Sequence, residues 1–180
     1  MGSTLAVSHG YVSGRLIKGE FMDELLKLLQ TNAIESRENI GRMLGLPAAE
    51  VEARIADYEK RGVIRGYQAI LNEDRLDLDK VTAVIEVKVT PQRKGGFDTI
   101  ANRVSRFPEV VSAYLMSGTY DLLLFVEGRT LREVAAFVSE RLSPLEGVLS
   151  TSTHFMLKTY KRFGVLMHQE SSDERLSITP

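Results

Sequence analysis

The sequence predicts an α+β protein in two parts: three short helices, then strands and helices in the order β-α-β-β-α-β. Three observations predict it. Between Met22 and Tyr58 apolar residues recur at helical spacing in three short blocks. From Val81 the rhythm changes to strict alternation, Val81, Ala83, Ile85, Val87 and Val89, the period of a half-buried strand. Two later apolar runs, 110–116 and 122–126, are separated by Gly118-Thr119-Tyr120-Asp121.

Helix 1 is expected over residues 21–30, with Met22, Leu25, Leu26 and Leu29 on its inner face and Thr31-Asn32 closing it. Ser36 is an N-cap residue type ahead of helix 2. That helix runs to Leu44 with Ile40, Met43 and Leu44 inward, and Gly45 supplies the residue that stops it. Pro47 suits the entry to helix 3 over 48–60, which buries Val51, Ile55 and Tyr58 and ends at Gly62. Helix 2, a Gly-containing turn and helix 3 form a helix-turn-helix pattern. Residues 63–67, Val-Ile-Arg-Gly-Tyr, read as a short wing or bridging strand, so the unit is winged or tri-helical. The polar, acidic stretch up to Lys80 reads as a linker.

In the second part a helix over 97–107 turns Ile100, Val104 and Phe107 inward and stops before Pro108. A second helix over 131–142 is expected to bury Leu131, Val134, Ala135, Val138 and Leu142. A last strand runs from Gly147 to about Tyr160. This order is the ferredoxin-like split unit. The start, residues 1–20, reads as a flexible arm or leader without the apolar core of a signal peptide. The C-terminal tail, 165–180, opens with Val165-Leu166-Met167 and then turns polar and frayed.

Composition narrows the function classes. The 180-residue chain has 23 Lys and Arg against 24 Asp and Glu, a formal net charge of −1. No global positive field draws it to nucleic acid, so any DNA contact must come from a local patch. With no cysteine, disulfides, thiolate catalysis and Cys-based zinc sites are excluded. The apolar runs are far too short for a membrane span, and a cytoplasmic location is expected. His9, His154 and His168 lack the close pairing of metal motifs, and Asp74, Asp77 and Asp79 are not at Ca²⁺-loop spacing. No metal and no cofactor are expected. There is no phosphate loop, no G-x-S-x-G and no H-E-x-x-H.

The Gly118–Asp121 step carries the most chemistry. Gly reaches φ > 0 and Asp hydrogen-bonds turn backbone, so the step reads as a hairpin tip. Its amides, hydroxyl and carboxylate could also hold a small zwitterion, with Asp121 facing an ammonium and the amides a carboxylate. Thr151 and Thr153 share a face of the last strand and could add hydroxyls. The plain alternatives are a turn in which Asp121 bonds its own backbone, and β-branched strand packing for the threonines.

Several stretches occur together in one order: Leu25-Leu26-Lys27-Leu28-Leu29-Gln30, Arg54-Ile55 with Tyr58-Glu59, and 62–67, Gly-Val-Ile-Arg-Gly-Tyr. Then come Phe107-Pro108-Glu109-Val110, the 114–121 run Tyr-Leu-Met-Ser-Gly-Thr-Tyr-Asp, and Gly147-Val148 leading to Thr151-Ser152-Thr153. In this combination, over about residues 21–164, the chain resembles the Lrp/AsnC, or feast/famine, family of transcription regulators. The resemblance implies a helix-turn-helix DNA-binding domain over 21–66 and a bridging strand and linker over 67–80. It implies a ligand-sensing and oligomerisation domain over 81–164. It further implies double-stranded DNA as partner, homodimers assembling to tetramers or octamers, and a small effector, an amino acid above all, bound between subunits near the tip.

On that basis Arg37, Arg42, Arg54, Lys60, Arg61 and Arg65 are the candidate phosphate contacts. Ala48, Ala49, Glu50 and Glu52 complete the candidate DNA face. Met116, Ser117, Gly118, Thr119, Tyr120 and Asp121, with Thr151 and Thr153, are the candidate effector residues. Helix 3 departs from the family pattern: Glu50, Glu52, Asp57 and Glu59 stand against Arg54, Lys60 and Arg61. Carboxylates are repelled by phosphates, although Glu can accept from cytosine N4, and Arg54 could instead pair with Glu50 or Asp57. Two other readings remain: an effector-binding sensor or scaffold with little DNA binding, and an enzyme like the sirohaem decarboxylases, whose haem-site motif has no match here.

Overall fold

The computed structural model describes residues 11–12, 15–16, 22–91 and 96–168. The leader expected over 1–20 and the polar tail from Gln169 lie outside these, apart from a short ladder of β1 (Tyr11–Val12) with β2 (Arg15–Leu16). The chain divides into two compact units, 1–69 and 70–180.

The first unit holds α1 (Glu24–Thr31), α2 (Arg37–Leu44) and α3 (Ala48–Lys60). α1 starts later than its apolar spacing predicts, because Asp23 caps it by accepting from the Leu26 amide at 2.9 Å. Met22 therefore precedes the helix and is exposed. The other oxygen of Asp23 accepts from the Tyr58 hydroxyl, tying the start of α1 to α3. Burial opposes the charge on Asp23, yet these two hydrogen bonds, with the nearby Arg54 charge and the Leu25 amide, hold the carboxyl below its ordinary pKa. Ser36 caps α2 as expected, accepting from the Asn39 amide at 3.1 Å, and Gly45 ends it at φ 67°. Met43 faces solvent rather than the core. Leu25, Leu29, Ile40, Val51, Ile55 and Tyr58 form that core, with Leu26, Leu28, Leu44, Leu46 and Ile64 packed around it.

The turn between α2 and α3 is set by Gly41. Its carbonyl accepts from the Leu46 amide at 2.9 Å, and a Cβ placed on it would lie 2.5 Å from the Leu46 carbonyl oxygen. No side chain fits there without moving backbone. The stretch 63–67 is a correction. It pairs with no strand among the described residues; the Val63 and Ile64 amides both bond the Tyr58 carbonyl, which makes it a helix-ending turn. The unit is tri-helical, and no wing is formed among the described residues.

The second unit holds β3 (Val81–Val89), α4 (Asp98–Val104), β4 (Val110–Leu115), β5 (Leu122–Gly128), α5 (Leu131–Ala136) and β6 (Val148–Phe155). The four strands form one antiparallel sheet in the order β4-β5-β3-β6. Alternation on β3 behaves as predicted: Ala83, Ile85, Val87 and Val89 are buried and pack with Leu122, Leu124 and Val126 of β5 against Ile100, Val104, Val134, Phe137 and Leu142. The 131–142 helix keeps most of its predicted face. After Ala136 it widens into a π turn, Phe137–Leu142, with the Ser143 amide bonding the Val138 carbonyl at 2.8 Å. Val134 and Leu142 are buried and Val138 packs against the core as predicted; Phe137 joins them, while Leu131 and Ala135, ahead of the π turn, are exposed.

Residues 72–80 are bound into this unit and do not form a loose linker. Glu73 opens a single 3₁₀ turn, Glu73–Arg75, and accepts from Arg162 at 2.9 Å and Lys80 at 2.7 Å; Lys80 also reaches Glu127 at 3.1 Å. Asn72 donates to the Met167 carbonyl at 2.6 Å. The tail run expected at 165–167 forms β8 (Val165–Leu166), paired with β7 (Lys161–Arg162), and Met167 is buried.

Two outcomes follow. Gly41→Ala forces a backbone shift of the overpacking kind, which costs about 1–3 kcal/mol. Urea unfolding should show the first unit melting earlier with the second unchanged; an unaltered first transition would remove Gly41 from its role. The second concerns pH. Hydrogen bonds from Arg162 and Lys80 hold Glu73 below its ordinary pKa. A depressed carboxyl contributes stability above its unfolded pKa, and that contribution is lost as pH falls through the folded value. The second unit should therefore lose stability on acidification below the usual glutamate range, and Glu73→Gln should flatten that limb of the melting-temperature profile.

Candidate functional site

The tip between β4 and β5 is wider than a two-residue hairpin. The Met116 amide bonds the Asp121 carbonyl at 2.8 Å and closes a six-residue loop from Met116 to Asp121. Met116, Ser117, Gly118 and Thr119 are exposed; Tyr120 and Asp121 are half-buried. Two expectations are corrected here. Gly118 is not among the glycines of positive φ, and a Cβ there would touch nothing within 4 Å. Neither backbone strain nor crowding within the chain requires glycine at this place. Nor does Asp121 bond its own turn. Its Oδ2 accepts from the Val89 amide on β3 at 2.8 Å, while its own amide donates to the Val87 carbonyl at 3.0 Å.

Asp121 thus closes the end of the β3–β5 ladder, which runs in register only as far as Val87 and Leu122. The ladder to β6 shifts register close by, between Lys88 and Val89. Asp121 stitches β5 to β3 where regular pairing stops, and its Oδ1 has no hydrogen-bond partner among the described residues.

Thr151 and Thr153 do not join the tip within one chain. They pair with Val87 and Ile85 on β6, which β3 separates from β5. Their side chains share the helix-covered face with those residues, and the Thr151 hydroxyl lies 3.2 Å from that of Ser143.

The open face of the sheet carries Val84, Leu123, Phe125 and Tyr114. Val84 pairs with Phe125, Leu123 with Tyr114, and the Tyr114 and Phe125 rings meet edge to face at 6.1 Å. Glu86 and His154 stand on the same face, 3.7 Å apart. Among the described residues no helix covers this side, and the helices of the unit pack on the opposite face.

On the first unit the candidate DNA face is knit by its own charges. Arg54 pairs with Glu50 at 2.6 Å, Arg37 with Glu52 at 2.7 Å and Arg61 with Asp57 at 2.7 Å. Arg42 donates to Asn39, and Arg61 also lies over the Tyr58 ring, 5.1 Å from its centre. Lys60 and Arg65 are exposed, with no ion pair among the described residues. Ala49 is exposed and Ala48 half-buried in the first turn of α3, which has no side-chain cap. The role of Gly41 in this turn is local, its contacts reaching only Leu46 and Ala48, and its one mark in the sequence is a glycine inside a helical pattern.

Residues 82–166 match the Lrp/AsnC ligand binding domain. An uncharacterized HTH-type transcriptional regulator of Bacillus subtilis, YugG, is 44% identical over 158 residues, covering 87% of this chain and 95% of its own. The chain belongs to the Lrp/AsnC family. A proline dehydrogenase transcriptional activator of Rhodobacter capsulatus is 34% identical, covering 74% of this chain and 86% of its own. Among solved structures, a transcriptional regulator of Neisseria meningitidis in complex with L-Met superposes with a TM-score of 0.58 at 26% identity, covering 77% of this chain and 88% of that one. This Lrp/AsnC protein is a DNA-binding transcription regulator of the helix-turn-helix type with a C-terminal ligand-binding domain. No described helix is long and apolar enough to cross a membrane.

The bond from Asp121 to Val89 separates two kinds of substitution. Asp121→Ala leaves the Val89 amide without its charged acceptor and should cost about 1–3 kcal/mol in the second unit. Asp121→Asn keeps an acceptor oxygen and should melt within a few degrees of wild type. Equal melting of the alanine variant and wild type would show that the bond carries no stability.

Proposed function

We propose that this regulator works as a homodimer or larger assembly in the cytoplasm, paired through the open faces of its sheets, and senses an amino acid at the 116–121 tip. The observation that carries the effector reading is the Asp121 carboxylate. One oxygen is held by Val89 and the other is uncommitted, beside exposed tip amides. A fixed carboxylate next to free backbone donors matches the two charges of a zwitterion. The L-Met complex of the Neisseria meningitidis regulator supports the same ligand class. Assembly is supported by β5: Leu122, Leu124 and Val126 are buried under the helices, and Leu123 and Phe125 are apolar on the bare face. A second sheet would cover them. Thr151 and Thr153 are separated from β5 by β3 in their own chain, and in this reading they join an effector across subunits. In this reading α3 enters DNA with Arg37, Arg42, Arg54, Lys60, Arg61 and Arg65 on phosphates, and no catalytic step takes part.

The acidic α3 favours one second reading, a sensor that has little grip on DNA. Three measurements decide. Light scattering should give a multiple of 20.1 kDa, and Phe125→Asp should shift it to monomer or make the protein insoluble; a wild-type monomer ends the assembly proposal. Calorimetric titration with the twenty amino acids should find a ligand whose affinity falls tenfold or more in Asp121→Asn, as a charge-assisted bond of about 1.5–3 kcal/mol requires. Binding to DNA from the protein's own upstream region should lose about 0.9 units of log–log salt slope for each phosphate contact removed, as in Arg54→Ala. An absence of salt-dependent binding would leave the sensor reading standing.

A further inference from the structure

The hairpin of β7 and β8 carries a turn residue that its own backbone does not favour. Lys161 pairs with Leu166 and Arg162 with Val165, which leaves a two-residue loop, Phe163-Gly164. Both loop residues have positive φ, 47° and 86°, as a type I′ turn requires. Glycine takes that region at little cost, and asparagine is the side chain that suits the first place. A bulky phenylalanine does not. Phe163 is the one non-glycine residue at positive φ among the described residues, and it is 80% exposed. It therefore gains almost no packing to offset the strain. A large apolar side chain held in this way marks a contact with another molecule.

Charge says which kind of molecule. From Gly147 to Gln169 the sequence has no Asp or Glu, the longest such stretch in a chain with 24 of them. Lys158, Lys161 and Arg162 fall within it, interleaved with Tyr160 and Phe163. Arg162 is turned to the body of the unit, where Glu73 accepts from it. Successive strand residues face opposite sides, so Lys161 lies on the other face of the ribbon, with Leu166 across from it. Lys158 and Lys161 are exposed and make no ion pair among the described residues. Lys158 lies over the Tyr160 ring, 5.0 Å from its centre, and Tyr160 is exposed as well. Among the described residues the outward charges of this segment are thus all cationic, beside an open ring and an aromatic tip. Such a surface suits a polyanion with stackable bases, and DNA is the polyanion that this regulator binds.

We propose that the β7–β8 hairpin is a second DNA contact, separate from α3, with Lys158 and Lys161 on phosphates and Phe163 set as a wedge against the bases. Apolar wedges of this kind partly unstack a base step and kink the duplex. Phosphate contacts carry no base information, so the hairpin strengthens binding and bends DNA while sequence is read elsewhere. The proposal rests on the reading that this protein grips DNA, which the α3 variant Arg54→Ala tests separately.

The experiment uses the full chain and a duplex from the protein's own upstream region, end-labelled for energy transfer so that one titration reads affinity and bend. Phe163→Asn is the informative variant, because it relieves the turn strain while removing the ring. It should melt at or above the wild-type temperature, yet bind about tenfold or more weakly, as the loss of one stacking contact implies, and with a smaller bend. Lys158→Ala combined with Lys161→Ala should lower the log–log salt slope by about 1.8 units, about 0.9 for each phosphate contact. Light scattering should give both variants the wild-type mass. The proposal is overturned if Phe163→Asn binds and bends DNA like wild type, or if the lysine pair leaves the slope unchanged. If Arg54→Ala lowers the slope in that same assay, α3 stands on DNA and only the hairpin contact fails; if wild type binds no DNA, both fail. A fall in mass on Phe163→Asn assigns the hairpin to contact between copies of the chain and overturns the proposal as well.

Discussion

The period-two burial of β3 is the constraint on which the second unit rests. β3 is paired on both sides, with β5 and β6, and its inward residues Ala83, Ile85, Val87 and Val89 are nearly or wholly inaccessible. A slip of one residue would turn all four outward and bring Thr82, Val84, Glu86 and Lys88 into the core. The register must therefore be fixed at the ends of the strand as well as along it. Lys80 and Glu127 fix one end and Asp121, holding the Val89 amide, fixes the other. Residues that lock the register also border the tip carboxylate and, at the other end, a cavity beside Lys80.

The legible parts of the fold were those written locally. Ser36, Gly45, Pro47 and Gly62 mark helix ends through their own backbone preferences, and the structure ends or starts α2 and α3 at those places. Alternation identified β3, and an unbroken apolar run identified β5, which is apolar on both faces. On the 131–142 helix the wheel found Val134, Val138 and Leu142 but not Phe137, which opens a π turn that departs from 3.6 residues per turn without a sequence mark. Met22 and Met43 show a different failure. Apolar residues at the right spacing belong to a face only if the helix reaches them and a partner packs there, and Asp23 starts α1 too late for Met22.

The contacts made by the candidate residues were not legible for one reason: they span the chain. Asp121 was identified as the polar residue of a turn, but the amide it holds is 32 positions away on β3. Glu73 and Arg162 are 89 positions apart. Thr151 and Thr153 lie on the correct strand, yet sheet order puts β3 between them and the tip. Spacing along a sequence gives faces and turns. It does not give which strand lies next to which, and that decided where each polar side chain found its partner.

The ion pairs across α3 bear on how a near-neutral protein could hold DNA. Exposed pairs such as Arg54 with Glu50, each side chain 45% accessible, are worth about 0–1 kcal/mol. A charge-assisted contact to phosphate is worth roughly 1.5–3 kcal/mol, so phosphate wins the arginine and the pairs are no barrier. The carboxylates they release are the greater cost, since Glu50, Glu52 and Asp57 then face a polyanion without their partners. One tri-helical unit gains little under that balance. Two units joined through paired sheets turn the second contact into an intramolecular one and multiply a weak affinity by roughly 10²–10⁴ without new contacts. On the function proposed above, the bare apolar face of the sheet is thus what makes an acidic recognition helix workable, and DNA binding should depend on assembly more steeply than on any single arginine.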